Sequence, residues 1–90
     1  DECVEKLAAK EAYIGHFYFK REIWKSALPR FEALIEKYPT SSVIREAYSK
    51  AAISAYHLGE AEKSEKYYQV LSDRYSDSSE FSDARKALRR

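Results

Sequence analysis

The stretch Ala8–Pro39, AAKEAYIGHFYFKREIWKSALPRFEALIEKYP, decides the fold of this chain. Its apolar residues recur at helical spacing on both sides of a short polar break, which predicts two helices that pack against each other. The same pattern returns 37 residues later, where Phe31 aligns with Tyr68 and Tyr38 with Tyr75. A repeat of this length, built from two helices, predicts an α-solenoid.

The composition limits the chain to one small, helical domain. Its 90 residues include only two glycines and two prolines, which are too few for the many turns of an all-β domain. Sixteen basic and fifteen acidic residues leave a net charge of +1, with no long run of one sign. We therefore expect no nucleic-acid partner, because such binders carry a basic surface.

The predicted elements divide the chain into two repeats and a terminal helix. Repeat one spans about residues 4–39 and ends at Pro39, since the residue before a proline is pushed out of helical space. Repeat two spans about residues 43–76, with Gly59 at the left-handed position that closes its first helix. A capping helix over about residues 79–88 should cover the open end, as solenoids require.

Pro29 conflicts with a regular second helix. In a helix interior, proline removes one backbone hydrogen bond and clashes with the preceding turn, at a cost of roughly 3 kcal/mol. Two solutions are open. Either the helix kinks at Pro29, or Arg21–Lys25 form a separate turn and the helix starts at an N-cap on Ser26.

The residues that catalysis or metal binding requires do not occur at suitable spacings. Cys3, His16 and His57 are too far apart for a zinc-site pattern, and the two glycines are too isolated for a phosphate loop. No nucleophile stands beside a base in a recognisable motif. We expect no enzyme activity, no metal and no cofactor.

Phe19 and Tyr56 are the aromatic residues that packing explains least. They occupy equivalent positions in the two repeats, and each lies next to a residue in the core phase. Aromatic side chains that recur on an inner face suit an extended peptide or a partner helix. Simple packing remains the alternative for both.

The residues Ile14-Gly15-x-x-Tyr18, followed by Ala27, Phe31 and Pro39, resemble the tetratricopeptide signature. The resemblance implies an all-α, tetratricopeptide-like superhelix of two helical hairpins and a C-terminal capping helix. In that family the first helix of each pair forms the inner surface. Here this implies Ala12, His16, Phe19 and Lys20, and then Ser49, Ile53, Tyr56 and His57.

A longer run is similar to the C-terminal part of the BamD (ComL) family. It comprises Cys3-x-x-x-Leu7-Ala8-x-x-Glu11, Tyr13–Arg21, Leu28–Glu32 and Tyr38–Ser41. The resemblance implies a non-enzymatic scaffold on the periplasmic side of the Gram-negative outer membrane, within β-barrel assembly. It also implies a fragment, whose parent has a signal peptide, a lipid anchor and earlier repeats.

The partners implied by this family are the POTRA domains of a BamA-like channel, accessory outer-membrane lipoproteins and unfolded β-barrel substrates. Arg30 matches a family arginine that faces the POTRA surface. The expected protein-binding residues are Arg30, Arg21, Lys20, Phe19, His16, Tyr56, His57 and Ile53.

Two other functions remain as alternatives. One is a periplasmic coordinator module of the Tol-Pal type, whose repeats also carry Tyr-Pro-x-Ser between helices. The other is a peptide-binding chaperone adaptor that uses Phe19 and Tyr56.

Overall fold

The structure, a computed structural model, describes residues 2–90, and this range consists of α-helices joined by short turns. The five helices are α1 Glu2–Lys20, α2 Trp24–Lys37, α3 Ile44–His57, α4 Ala61–Arg74 and α5 Ser79–Ala87. Residues 2–90 contain no strand. The all-α class predicted from the sequence is confirmed.

The helices stack in chain order. Helix α1 pairs with α2 and α3 pairs with α4, while α2 packs against α3 and so joins the two hairpins. Helix α5 lies against both α3 and α4. Each helix therefore contacts its neighbours along the chain, as in a solenoid.

Small residues line the contacts between the helices. Phe31, Leu34 and Leu71 are the largest completely buried apolar side chains, and they lie on α2 and α4. The surrounding positions are mostly alanines, which let the helix backbones approach closely. The completely buried alanines are Ala8, Ala27, Ala47, Ala51, Ala52, Ala55 and Ala84.

Gly15 of α1 lies directly against the Phe31 ring of α2. A Cβ atom placed on Gly15 would lie 2.8 Å from Cζ of Phe31 and 3.0 Å from Cε1 and Cε2 of the same ring. Core packing restrains the ring, because Phe31 is completely buried and its ring lies edge-on to Phe19. The phenyl ring thus occupies the place where any other residue at position 15 would carry its side chain.

Helices α1, α3 and α5 end in the same type of turn. At the end of α1, Ile23 N–H donates to the Tyr18 carbonyl and Glu22 N–H to the Phe19 carbonyl, with Glu22 at φ 58°. This is a Schellman motif, which satisfies carbonyls that a helix end leaves unpaired. The predicted left-handed cap at Gly59 is confirmed, with φ 78°, and Arg89 adopts φ 60° after α5.

Helix α2 runs without a break through Pro29. It begins at Trp24, with Ile23 as its N-cap, so the alternative that starts the helix at Ser26 is wrong. Proline leaves the Lys25 carbonyl without its helical partner. Both Lys25 and Pro29 are exposed, so water can hydrogen-bond to that carbonyl and reduce the cost.

We predict that Gly15→Ala destabilises the protein, although alanine is the better helix former. Helix propensity alone would favour alanine by about 1 kcal/mol. The added methyl group meets the Phe31 ring, however, and overpacking of a core costs about 1–3 kcal/mol. We expect a net loss of about 1 kcal/mol or more in the free energy of unfolding, measured in urea.

The control is the same substitution in a Phe31→Leu background, where the ring is gone. There Gly15→Ala should become neutral or stabilising by up to about 1 kcal/mol. An equal effect of Gly15→Ala in both backgrounds would contradict the role given to the ring.

Candidate protein-binding surface

A shallow groove lies where the end of α1 meets the start of α2 and the end of α3. It encloses about 410 Å³, and its lining residues are His16, Phe19, Lys20, Glu22, Trp24 and His57. Four of the predicted binding residues are therefore brought together here. Trp24 and Glu22 were not predicted to take part.

Aromatic rings in one stacked and one edge-on contact form the floor of this groove. The rings of Trp24 and His57 are nearly parallel, with centroids 4.3 Å apart and an interplanar angle of 6°. Phe19 meets Trp24 edge-on at 5.3 Å and Phe31 edge-on at 6.4 Å. Phe19 is thus half-buried, and it connects the groove to the core.

A lysine from the second hairpin contacts the wall of the groove. Lys50 Nζ lies 2.6 Å from His16 Nδ1 and 3.0 Å from Glu46 Oε2, and it sits 5.3 Å from the centre of the Phe19 ring. Since an ammonium group only donates hydrogen bonds, the neutral imidazole accepts at Nδ1 and carries its hydrogen on Nε2.

The environment of His16 favours its neutral form. Burial lowers the pKa of the imidazole below its ordinary value, and the positive charge of Lys50 lowers it further, with Lys20 adding to the effect. The carboxylate of Glu46 opposes this by raising the pKa, but less strongly.

Ile53 and Tyr56 differ in their access to partners. Ile53 is only 7% exposed and belongs to the core, so a partner cannot reach most of its side chain. Tyr56 is 40% exposed and lies edge-on to His57, with centroids 5.5 Å apart. It faces a different cavity, between α3, α4 and α5.

Arg21 lies beside the groove, directly after the end of α1, and its side chain folds back onto that helix. Its guanidinium stacks on the Phe17 ring at 3.8 Å from the ring centre, and it donates a 3.1 Å hydrogen bond to the Phe17 carbonyl. A depression of about 290 Å³ borders this pair, next to His16, Lys20 and the exposed Tyr13.

Arg30 lies on α2, outside the groove. It forms a 3.0 Å ion pair with Glu11 Oε1 across the first hairpin, and 44% of its side chain remains accessible. The pair fixes the direction of the guanidinium and leaves donors open to a partner. The predicted residues therefore fall into at least two regions, the groove and the Arg30 side of α2.

Sequence reasoning missed Trp24 and Glu22 as groove residues, and it missed Lys50 as a residue that contacts the groove wall. Trp24 follows the helical phase of the core stripe, and it also aligns with Ala61 of the other repeat, where no aromatic occurs. That difference between the repeats was the available sign that Trp24 has a role beyond the shared packing. Lys50 could have been placed only as a partner of Glu46 on the same helix, four residues away.

Within residues 2–90, His, Cys, Asp and Glu side chains nowhere gather into a group of three that could hold a metal ion. In the same range, every helix is too short or too polar to cross a membrane.

Comparison with known proteins identifies relatives over almost the whole chain. The family YfiO, described as an outer membrane lipoprotein, matches residues 1–88. The outer membrane protein assembly factor BamD of Rickettsia prowazekii (strain Madrid E) is 36% identical over 80 residues, which cover 89% of this chain. The chain spans about a third of that relative, 32% of its length. No solved structure matches this chain.

We predict that acidification destabilises the protein through His16. The pKa of His16 is lower in the folded chain than the ordinary value of about 6.5, so the unfolded chain takes up a proton first as the pH falls. The free energy of unfolding should therefore decrease between about pH 7.5 and about pH 5.5. His16→Gln should reduce that decrease, as measured by urea unfolding at both pH values.

Lys50→Met provides the matched control, since it removes the nearby charge and keeps the imidazole. In an NMR titration the His16 pKa should rise relative to the wild type. A wild-type His16 that titrates at or above its ordinary value would contradict the geometry described here.

Proposed function

We propose a function from one premise, which is that this chain belongs to the YfiO family of outer membrane lipoproteins. The proposed function is that of a non-enzymatic docking scaffold in outer-membrane protein assembly. Family membership places the chain on the periplasmic side of the outer membrane of a Gram-negative bacterium. Its task would be to hold assembly components together while β-barrel proteins enter the membrane. The partners that we propose are the POTRA domains of a BamA-like channel and accessory lipoproteins.

The similarity to an assembly factor is the observation that carries this proposal. The relative from Rickettsia prowazekii is named for outer membrane protein assembly, and the similarity covers both helical hairpins. The alternative of a Tol-Pal coordinator has no such support from the comparisons. The fold supports the proposal, because the predicted binding side chains are displayed on packed helices, which suits a rigid docking module.

Arg30 is the residue that we assign to POTRA docking. Its guanidinium is positioned by Glu11 and is partly exposed. Binding would therefore cost little additional side-chain entropy. Arginine is also enriched among the residues that dominate interface energies, because its planar fork can make several hydrogen bonds at once. A partner surface with carboxylates or free carbonyls would complement it.

The groove supports a second role, which is the binding of unfolded β-barrel segments. Its aromatic floor offers apolar contact, and Lys20 offers positive charge at its edge. An extended peptide with aromatic and acidic residues would fit both features. The chaperone-adaptor hypothesis thus moves from the pair Phe19 and Tyr56 to the aromatic cluster of Phe19, Trp24 and His57.

We predict that Arg30→Glu weakens binding to the POTRA domains of the cognate channel by about tenfold or more, as expected for a central arginine of an interface. The dissociation constant would be measured by calorimetry, with the unfolding midpoint recorded for each variant. Glu11→Gln leaves Arg30 in place and should change the affinity by less than about threefold, in line with an exposed ion pair.

Lys25→Glu is the matched charge control, because Lys25 lies on the same helix and is also exposed. It should bind nearly as the wild type does. An affinity unchanged by Arg30→Glu would remove Arg30 from the interface.

We predict that an unfolded barrel segment without tryptophan changes the fluorescence of Trp24 when it binds. Trp24 is the single tryptophan of the chain and lies in the groove, so it reports on this site directly. Lys20→Glu should weaken the binding of an acidic segment, whereas Arg74→Glu, far along α4, should not. The anisotropy of a labelled peptide would report binding independently of its place. If the anisotropy shows binding while Trp24 emission stays unchanged, the peptide binds outside the groove.

A further inference from the structure

A second cavity lies at the opposite hairpin, between the end of α3, the start of α4 and the end of α5. It encloses about 340 Å³, and its lining residues are Tyr56, Gly59, Ala61, Ser64, Leu88 and Arg90. This volume is at the small end of the range of known ligand pockets, about 300–1,000 Å³. Among the predicted binding residues, only Tyr56 faces it.

The internal repeat shows what kind of group this cavity fits. With the offset of 37 residues, Tyr56 corresponds to Phe19 and Ala61 corresponds to Trp24. In the first hairpin the indole of Trp24 lies against Phe19, at a centroid distance of 5.3 Å. In the second hairpin Ala61 has only a methyl group, so the space beside Tyr56 that an indole would fill is open.

The walls of the cavity are mostly apolar, and the side chains of Ser64 and Arg90 are already paired. The Ser64 hydroxyl donates a 3.0 Å hydrogen bond to the Ala52 carbonyl, and Leu88 is buried. At the rim, Arg90 pairs with Glu65 and its guanidinium lies 4.5 Å from the centre of the Tyr68 ring. Such a cavity offers little to a polar metabolite, whereas an aromatic ring gains apolar contact and can lie beside the guanidinium.

We propose that this cavity receives a large aromatic side chain, tryptophan above all, from a partner polypeptide. The incoming ring would take the place beside Tyr56 that Trp24 takes beside Phe19. The cavity shares no lining residue with the groove and does not include Arg30, so the proposal goes beyond POTRA docking and does not depend on it. An aromatic anchor in a preformed cavity is a common form of interface hot spot.

The direct test uses N-acetyl-tryptophanamide as the probe and the full chain labelled with ¹⁵N. We expect saturable chemical-shift changes at the amides of Gly59, Ala61 and Arg90. N-acetyl-leucinamide should bind at least about threefold more weakly, because it lacks the aromatic face. Equal affinity for both probes would overturn the assignment to an aromatic ring.

Ala61→Trp is the decisive variant, because it supplies from within the indole that the cavity lacks. Ala61 is exposed at the first position of α4, so the larger side chain can enter without displacing the core. We expect Ala61→Trp to abolish the probe response and to raise the melting temperature. Ala61→Leu fills the cavity in part and should weaken the response, which keeps the test open if the tryptophan variant folds poorly.

Arg74→Trp is the matched control, since it adds a tryptophan to the far end of the same helix. It should bind the probe as the wild type does. Trp24→Ala should in turn open a second site, with new shifts near Phe19. A probe response that Ala61→Trp and Ala61→Leu both leave unchanged would overturn the proposal, and POTRA binding through Arg30 would be unaffected by that result.

Discussion

The contact between Gly15 and the Phe31 ring is the constraint on which the rest of the structure depends. It sets how closely α1 and α2 approach, since the ring lies where a side chain at position 15 would be. From Phe31 a series of rings leads outward through Phe19 and Trp24 to His57. Because His57 belongs to α3, this series also joins the first hairpin to the second. The groove is thus the outer end of a packed core, and its side chains are held in place by that core.

The second hairpin meets the same constraint in a different way. Ala52 stands where the first hairpin has Gly15, Tyr68 where it has Phe31, and Ser64 where it has Ala27. The Ser64 hydroxyl bonds to the Ala52 carbonyl, so a polar contact joins α4 to α3 at the position where the first hairpin uses apolar packing alone. Without a counterpart of Trp24, the space beside Tyr56 remains open.

Helical periodicity was sufficient to predict the fold but only part of the candidate binding surface. Gly59, Pro39 and the aligned aromatics are local signals, and they determine where helices end and which face is apolar. Whether a residue reaches the surface also depends on the helix packed across from it. Ile53 was assigned to the inner face by resemblance and is buried, whereas Trp24 was assigned to the core and forms part of the groove. The contact between Lys50 and His16 joins residues 34 positions apart, which periodicity within one helix cannot predict.

Differences between equivalent positions carry more functional information than the shared framework. Position 30 of the first hairpin holds a partly open arginine that pairs with Glu11. Its equivalent, Tyr67, is buried and donates a 2.7 Å hydrogen bond to Glu32 of α2, and burial together with this bond raises the pKa of the Tyr67 hydroxyl. One position thus serves an exterior surface in the first hairpin and the contact between hairpins in the second. Trp24 and Ala61 differ in the same way. The features of this chain that a partner can recognise therefore lie at positions where the two repeats differ. The positions that match between the repeats keep the helices packed.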